Sequence, residues 1–202
     1  LAAGESRRVS FFFGGSESSE EEAGEQARTL RENREELLEE KKERYRKLGG
    51  RASLSFAGEP VLEQMYHWNQ YINDWIQCDI PGVGEGVVAG YAEFPWWFGN
   101  DTNYILPALL MQGEVEICKE TLRLLRRASL EVNGNGRVIH EMSNNGVVFY
   151  EGMTTETPQF ADCVWQIYCF EGERTFLEEM YDFCREGMRW IESVSEEGLP
   201  RG

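Results

Sequence analysis

The stretch FPWWFGNDTNYILPALL, residues 94–110, sets four large aromatics and a Gly-Asn-Asp turn directly before a leucine-rich run. A core selects the aromatics and rejects the acid, and a solvent loop does the reverse. Phe94, Trp96, Trp97 and Phe98 beside Asp101 therefore suit a surface that meets a ligand with two kinds of face. A pyranose ring is such a ligand: aromatic rings stack on its apolar faces and a carboxylate accepts from its hydroxyls. Spacing alone also allows a plainer arrangement, in which Asp101 caps the following helix and the tryptophans close a core.

Downstream, Asp101 is expected to begin a helix that stops at Gly113. Val115, Ile117, Cys118, Leu122, Leu125 and Ala128 then repeat at three and four, so a second helix follows at once. Residues 131–153 read as a long loop with hairpin-like VIHEM and VVFY pieces around Asn144-Asn145-Gly146. TPQFADCVWQIYCF is a helix, Gly172 a break. Phe176, Leu177, Met180, Tyr181, Cys184, Met188, Ile191 and Val194 mark a last amphipathic helix. Upstream, residues 60–77 place Leu62, Met65, Tyr66, Asn69, Ile72 and Ile76 at helical spacing, with Pro60 suited to a first turn. Residues 79–100 read as a long Gly-rich loop. The order is long loop, helix pair, long loop, helix pair, within the range of helical-repeat architectures. Such pairs stack into a solenoid or close into a toroid, and their long loops gather on one face.

The front of the chain differs. Residues 1–14, with SRRVSFFFGG, are expected to be a β-strand ending an upstream β-sandwich domain. Residues 15–50 read as a charged helical linker, supported by pairs such as Glu40 with Arg44 and Glu43 with Lys47 and ended by Gly49-Gly50. Residues 51–202 form the helical domain. Leu1 at the start and GLPRG at the end point to a piece of a longer protein.

The net charge of −16 argues against nucleic acid and anionic membrane surfaces. No apolar run reaches transmembrane length. Cys78, Cys118, Cys163, Cys169 and Cys184 include no CxxC and read as small buried hydrophobes of a reducing, cytoplasmic compartment. With two histidines and no ligand spacing, neither a metal site nor a cofactor is expected.

Two further stretches carry chemistry. GRVIHEMSNNG, residues 136–146, offers Arg137, His140, Glu141 and Asn144 on a hairpin-like loop, or is an ordinary hairpin. GMTTETPQF, residues 152–160, puts Glu156 at a helix entrance, where the dipole favours the anion and burial favours the neutral acid. A helix-capping role fits the same spacing.

FPWWFGNDTNYILPALL resembles the motif that opens the catalytic domain of six-hairpin, (α/α)6-toroid glycosidases of the amylo-α-1,6-glucosidase type, the glucosidase half of glycogen debranching enzymes. GRVIHEMSNNGVVFYEGMTTETPQFADCVWQIY resembles the next block of that group and of its mannosylglycerate-hydrolase-like and glucoamylase relatives. The resemblance covers roughly residues 60–202. It implies a mainly α fold, a partial (α/α)6 toroid, and inverting hydrolysis of an oligosaccharide or glucoside. It implies that Asp101 holds hydroxyls of the terminal sugar, with Asn100 where arginine is commoner, and that Trp96 and Trp97 form the pocket wall. Glu156 matches the proton donor, where many relatives have aspartate, and His140 and Glu141 line the pocket. The family's base lies beyond residue 202, so this piece alone is expected to be inactive. The residues also allow a non-catalytic carbohydrate-binding or scaffold protein on the same helical fold, or a helical repeat that binds another protein.

Overall fold

The computed structural model describes residues 4–16 and 18–201. The chain divides into two compact units, Leu1–Gly50 and Arg51–Gly202. Among the described residues it is mainly helical, with seven helices and a few short strands.

In the first unit, residues 5–16 form no strand, against expectation; residues 1–3 lie outside the described residues. With no second strand to pair with, the segment lies on a helix instead. A Cβ on Gly14 would come within 2.0 Å of the Ala23 carbonyl oxygen. That helix, α1 (Glu20–Glu32), is capped by Ser19, whose hydroxyl accepts the Glu22 N–H. A break at Asn33 separates it from α2 (Arg34–Arg51), so the expected single linker helix is two. Nor do Gly49-Gly50 end α2, which runs through them. Neither glycine takes the left-handed conformation of a stop. Ion pairs such as Glu43–Lys47 at 4.0 Å line its solvated surface.

The second unit opens with α3 (Pro60–Trp75). Most of the stripe read from the sequence does not face the core, although Ile76, just past the helix end, is buried in it. Leu62, Met65 and Ile72 are exposed, together with Val61, Trp68 and Trp75. The inward face is polar: Gln70 is buried and donates to the Ala52 carbonyl at 2.7 Å, and Glu63 accepts the Phe56 N–H at 2.8 Å. The expected loop 79–100 is partly strand. β1 (Gln77–Ile80) and β2 (Gly84–Val87) pair antiparallel through an Ile-Pro-Gly-Val turn. In it Pro81 supplies the restricted φ, Gly82 sits at φ 77°, and the Val83 N–H reaches the Ile80 carbonyl at 3.0 Å.

Next come β3 (Trp97–Phe98), α4 (Gly99–Met111), α5 (Val115–Asn133), β4 (Glu141–Met142), β5 (Val148–Tyr150), α6 (Glu156–Glu171), α7 (Arg174–Ser193), β6 (Ser195–Glu196) and β7 (Leu199–Pro200). Gly134 and Gly172 close α5 and α6 at φ 65° and 77°, the positive dihedrals that glycine tolerates. α4 packs against α5 and α6, and α6 against α7. Their common core contains Trp97, Leu106, Leu122, Leu125, Phe160 and Met180, all essentially without solvent contact. No helix of the described residues is long and apolar enough to cross a membrane.

Candidate functional site

The two aromatic-polar stretches, forty residues apart in sequence, meet in one small sheet. β3 pairs with β4 and β4 with β5, so Trp97 faces Met142 and Phe98 faces Glu141. The Gly99 N–H then donates to the His140 carbonyl at 2.7 Å. This close approach demands glycine, because a Cβ on Gly99 would stand 2.3 Å from the Ile139 carbonyl oxygen and 3.2 Å from Glu156 Cγ.

The segment entering β4 is pinned by every backbone donor it carries. Val138 N–H donates to Thr157 Oγ1 at 3.0 Å, Ile139 N–H to Ser129 Oγ at 3.0 Å, and His140 N–H to the Tyr150 carbonyl at 3.0 Å. Four elements (α4, α5, β5 and α6) thereby hold His140 in one place.

Glu156, the first residue of α6, has a fully buried side chain, whereas that of His140 is 22% exposed. Glu156 Oε1 lies 2.7 Å from His140 Nδ1. Glu156 Oε2 accepts the Met153 N–H at 2.9 Å and the Thr155 hydroxyl at 3.2 Å. A buried carboxyl needs such partners, because desolvating it unpaired costs several kcal/mol. It caps no N–H of its own helix. It reaches backwards and ties the loop before α6 to the histidine. One proton lies between Glu156 Oε1 and His140 Nδ1, whichever atom carries it.

Aromatic rings surround the histidine. Phe98 and Tyr150 meet it edge-on with centroids at 5.7 and 5.3 Å. Trp96 stacks on Phe149 at 5.2 Å with planes 9° apart, and Phe94 meets Phe98 edge-on at 6.1 Å. Phe94, Phe149 and Tyr150 are exposed. The result is a continuous aromatic surface, with a histidine opening onto it and a carboxyl hidden behind that histidine.

The other expected site residues divide. Trp96 is half-buried within the aromatic surface. Trp97, next to it, is wholly enclosed. It is a core residue and not a wall: Trp96 lies in a bend ahead of β3, whereas Trp97 is the first residue of the strand and pairs with Met142. Its indole lies against Gly86, where a Cβ would come within 2.8 Å of Nε1. Asp101 is exposed in the first turn of α4, which starts at Gly99 and not at Asp101 as expected. There the positive end of the helix favours its charge. Asn100 is half-buried beside it, and Glu141 is half-buried on β4. Among the described residues no group of three or more His, Cys, Asp or Glu is placed to hold a metal ion.

Phe149 and Tyr150 were not singled out from the sequence. The signal was present in VVFY, where two bulky rings follow a polar turn. Asn103 was also missed: its amide donates to the Gly99 carbonyl at 2.7 Å and to Gln159 at 3.0 Å, joining α4 to α6 behind the site. No family model matches the chain, and no curated protein or solved structure matches it either.

Proposed function

We propose that residues 51–202 carry one side of a carbohydrate site, in an inverting α-glycoside hydrolase of the α-1,6-glucosidase, debranching type. One observation supports this reading above the rest: a buried carboxyl–histidine pair opens onto a continuous aromatic surface. Phe94, Trp96, Phe149 and Tyr150 offer ring faces and edges to the apolar side of a pyranose. Asp101, exposed nearby in sequence on α4, offers acceptors for hydroxyls.

In inverting hydrolysis one acid protonates the leaving oxygen while a second carboxylate, roughly 6.5–9.5 Å away, activates water on the opposite face. In this proposal a doubly protonated His140 gives the proton on Nε2 to the leaving oxygen and is left neutral, its Nδ1–H held by the Glu156 carboxylate. The second carboxylate has no assigned residue. The proposed architecture is a partial (α/α)6 toroid, supported by the sequence of helix pairs and long loops and by the packing of α4 on both α5 and α6. Five unpaired cysteines support a reducing, cytoplasmic setting.

A second reading, carbohydrate binding without catalysis, is favoured by a specific observation. Glu156 has no exposed surface, so its oxygens do not meet a bound sugar directly. It keeps the aromatic surface and dispenses with proton transfer.

The test common to both is a titration of the 202-residue chain with isomaltose and maltose, following tryptophan emission. A saturable change is expected, stronger for isomaltose, and about two- to tenfold weaker in Trp96→Ala and Phe149→Ala, since a lost ring stack is worth about 0.5–1.5 kcal/mol. The absence of a saturable change with either sugar means that this is not a glucoside site. Turnover of isomaltose separates hydrolysis from binding.

A further inference from the structure

We infer that His140, and not Glu156, is the polar group that meets the sugar, and that Glu156 is a positioning residue acting only through it. The inference rests on the proposed glucoside site and specifies how that site works.

Three observations carry it. First, both Glu156 oxygens are occupied and enclosed: Oε1 by His140, Oε2 by the Met153 N–H and the Thr155 hydroxyl. No sugar oxygen reaches them unless the histidine moves. Second, the histidine is held where it is. Its N–H donates to Tyr150, its carbonyl accepts from Gly99, and its ring is braced edge-on by Phe98 and Tyr150. Third, the imidazole is the part of the pair with solvent contact. Nδ1 is committed to Glu156, which leaves Nε2, on the far edge of the ring, as the free hydrogen-bonding atom.

The chemistry follows from the two-nitrogen ring. A carboxylate accepting from Nδ1–H fixes the tautomer and the ring plane, as a second partner does for histidines elsewhere. Nε2 is then presented at a set angle amid aromatic rings, in position to accept a hydrogen bond from a glucose hydroxyl. Glu156→Gln keeps the shape and the Met153 contact. Its amide NH2 now faces Nδ1, so Nδ1 becomes an acceptor and the proton moves to Nε2.

The chain has two histidines, which makes a direct measurement possible. His67 is half-buried, bonded through Nδ1 to Gln70 Oε1 at 3.1 Å, and serves as an internal control. Long-range proton–nitrogen spectra of the imidazoles are recorded during titration with isomaltose, alongside tryptophan emission. The expected result is a shift of His140 Nε2 with unchanged His67. In Glu156→Gln the free protein should show the characters of Nδ1 and Nε2 interchanged at His140, and isomaltose affinity should fall about tenfold. His140→Phe, which keeps the ring packing, should lose binding to a similar extent.

If emission reports saturable binding while the His140 nitrogens stay still, the inference is overturned and the glucoside site stands. If Glu156→Gln leaves the His140 tautomer and the affinity unchanged, the positioning role is overturned. If isomaltose and maltose do not bind at all, the site assignment fails and takes this inference with it.

Discussion

Thr157→Val removes one acceptor and little else. The two side chains have the same shape, and Thr157 and Val138 are 3% and 1% exposed. Thr157 Oγ1 accepts the Val138 N–H at 3.0 Å. The substitution leaves that N–H buried without a partner, at a cost of about 1–3 kcal/mol. For a unit of about 150 residues each kcal/mol moves Tm by roughly 2–4 °C, so a fall of roughly 2–12 °C is expected. All six tryptophans lie between residues 51 and 202, so their emission during urea unfolding follows that unit alone. Thr175→Val, at an exposed position, should stay within about 0.5 kcal/mol of the wild type. A Thr157→Val protein as stable as Thr175→Val would mean that the segment leading into His140 is not held by this bond. The description of the site as pinned from four sides would then be wrong.

Three other outcomes follow from the same geometry. Trp97→Ala should cost about 3–5 kcal/mol by emptying a fully buried site, whereas half-buried Trp96→Ala should cost about 1; urea titration ranks them, and equal losses contradict their different burial. Burial pushes the thiols of Cys118 and Cys163 up to about 12, while Cys169 is exposed. Iodoacetamide at about pH 8 should therefore label Cys169 well before Cys118 and Cys163, and mass mapping that finds all three labelled together refutes the packing. Arg123 grips Glu179 through Nε at 2.9 Å and Nη2 at 2.6 Å and holds its carboxyl below the ordinary value. A lowered folded-state pKa contributes stability above the unfolded value, and that contribution is lost as pH falls through the lowered one. Both side chains are about one-third exposed, so Glu179→Gln should lose under about 1 kcal/mol near pH 7. The gap from wild type should close as pH falls below the ordinary carboxylate range, and a gap that stays constant with pH excludes the ion pair as its source.

Much of the helical framework was legible in the residues. The apolar stripe of Ile117, Cys118, Leu122, Leu125 and Ala128 was legible because helical periodicity repeats every few residues. Gly113, Gly134 and Gly172 adopt positive φ at the ends of α4, α5 and α6. Local patterns misled where burial decided the outcome. Leu62, Met65 and Ile72 have the spacing of a buried face, yet the buried residue of α3 is Gln70, held by the Ala52 carbonyl. Gly49-Gly50 looked like a stop, but a helix passes through two glycines at a cost of roughly 1 kcal/mol each.

The sequence by itself determined the helix pairs, their glycine breaks and the company of aromatics, histidine and acids on the loops. These depend on neighbours within a turn or two, which the order of residues displays. Only the tertiary structure decided which of those residues meet. A two-residue strand is too short to show a period, so nothing local separates Trp96 from Trp97. Pairing β3 with β4 sets Trp97 in the core, while Trp96, in the bend just ahead of the strand, stays half-buried. Glu156 and His140 become partners for the same reason. The hydrogen bonds that join α4, α5, β5 and α6 around residues 138–140 link parts of the chain too far apart for any periodicity to record.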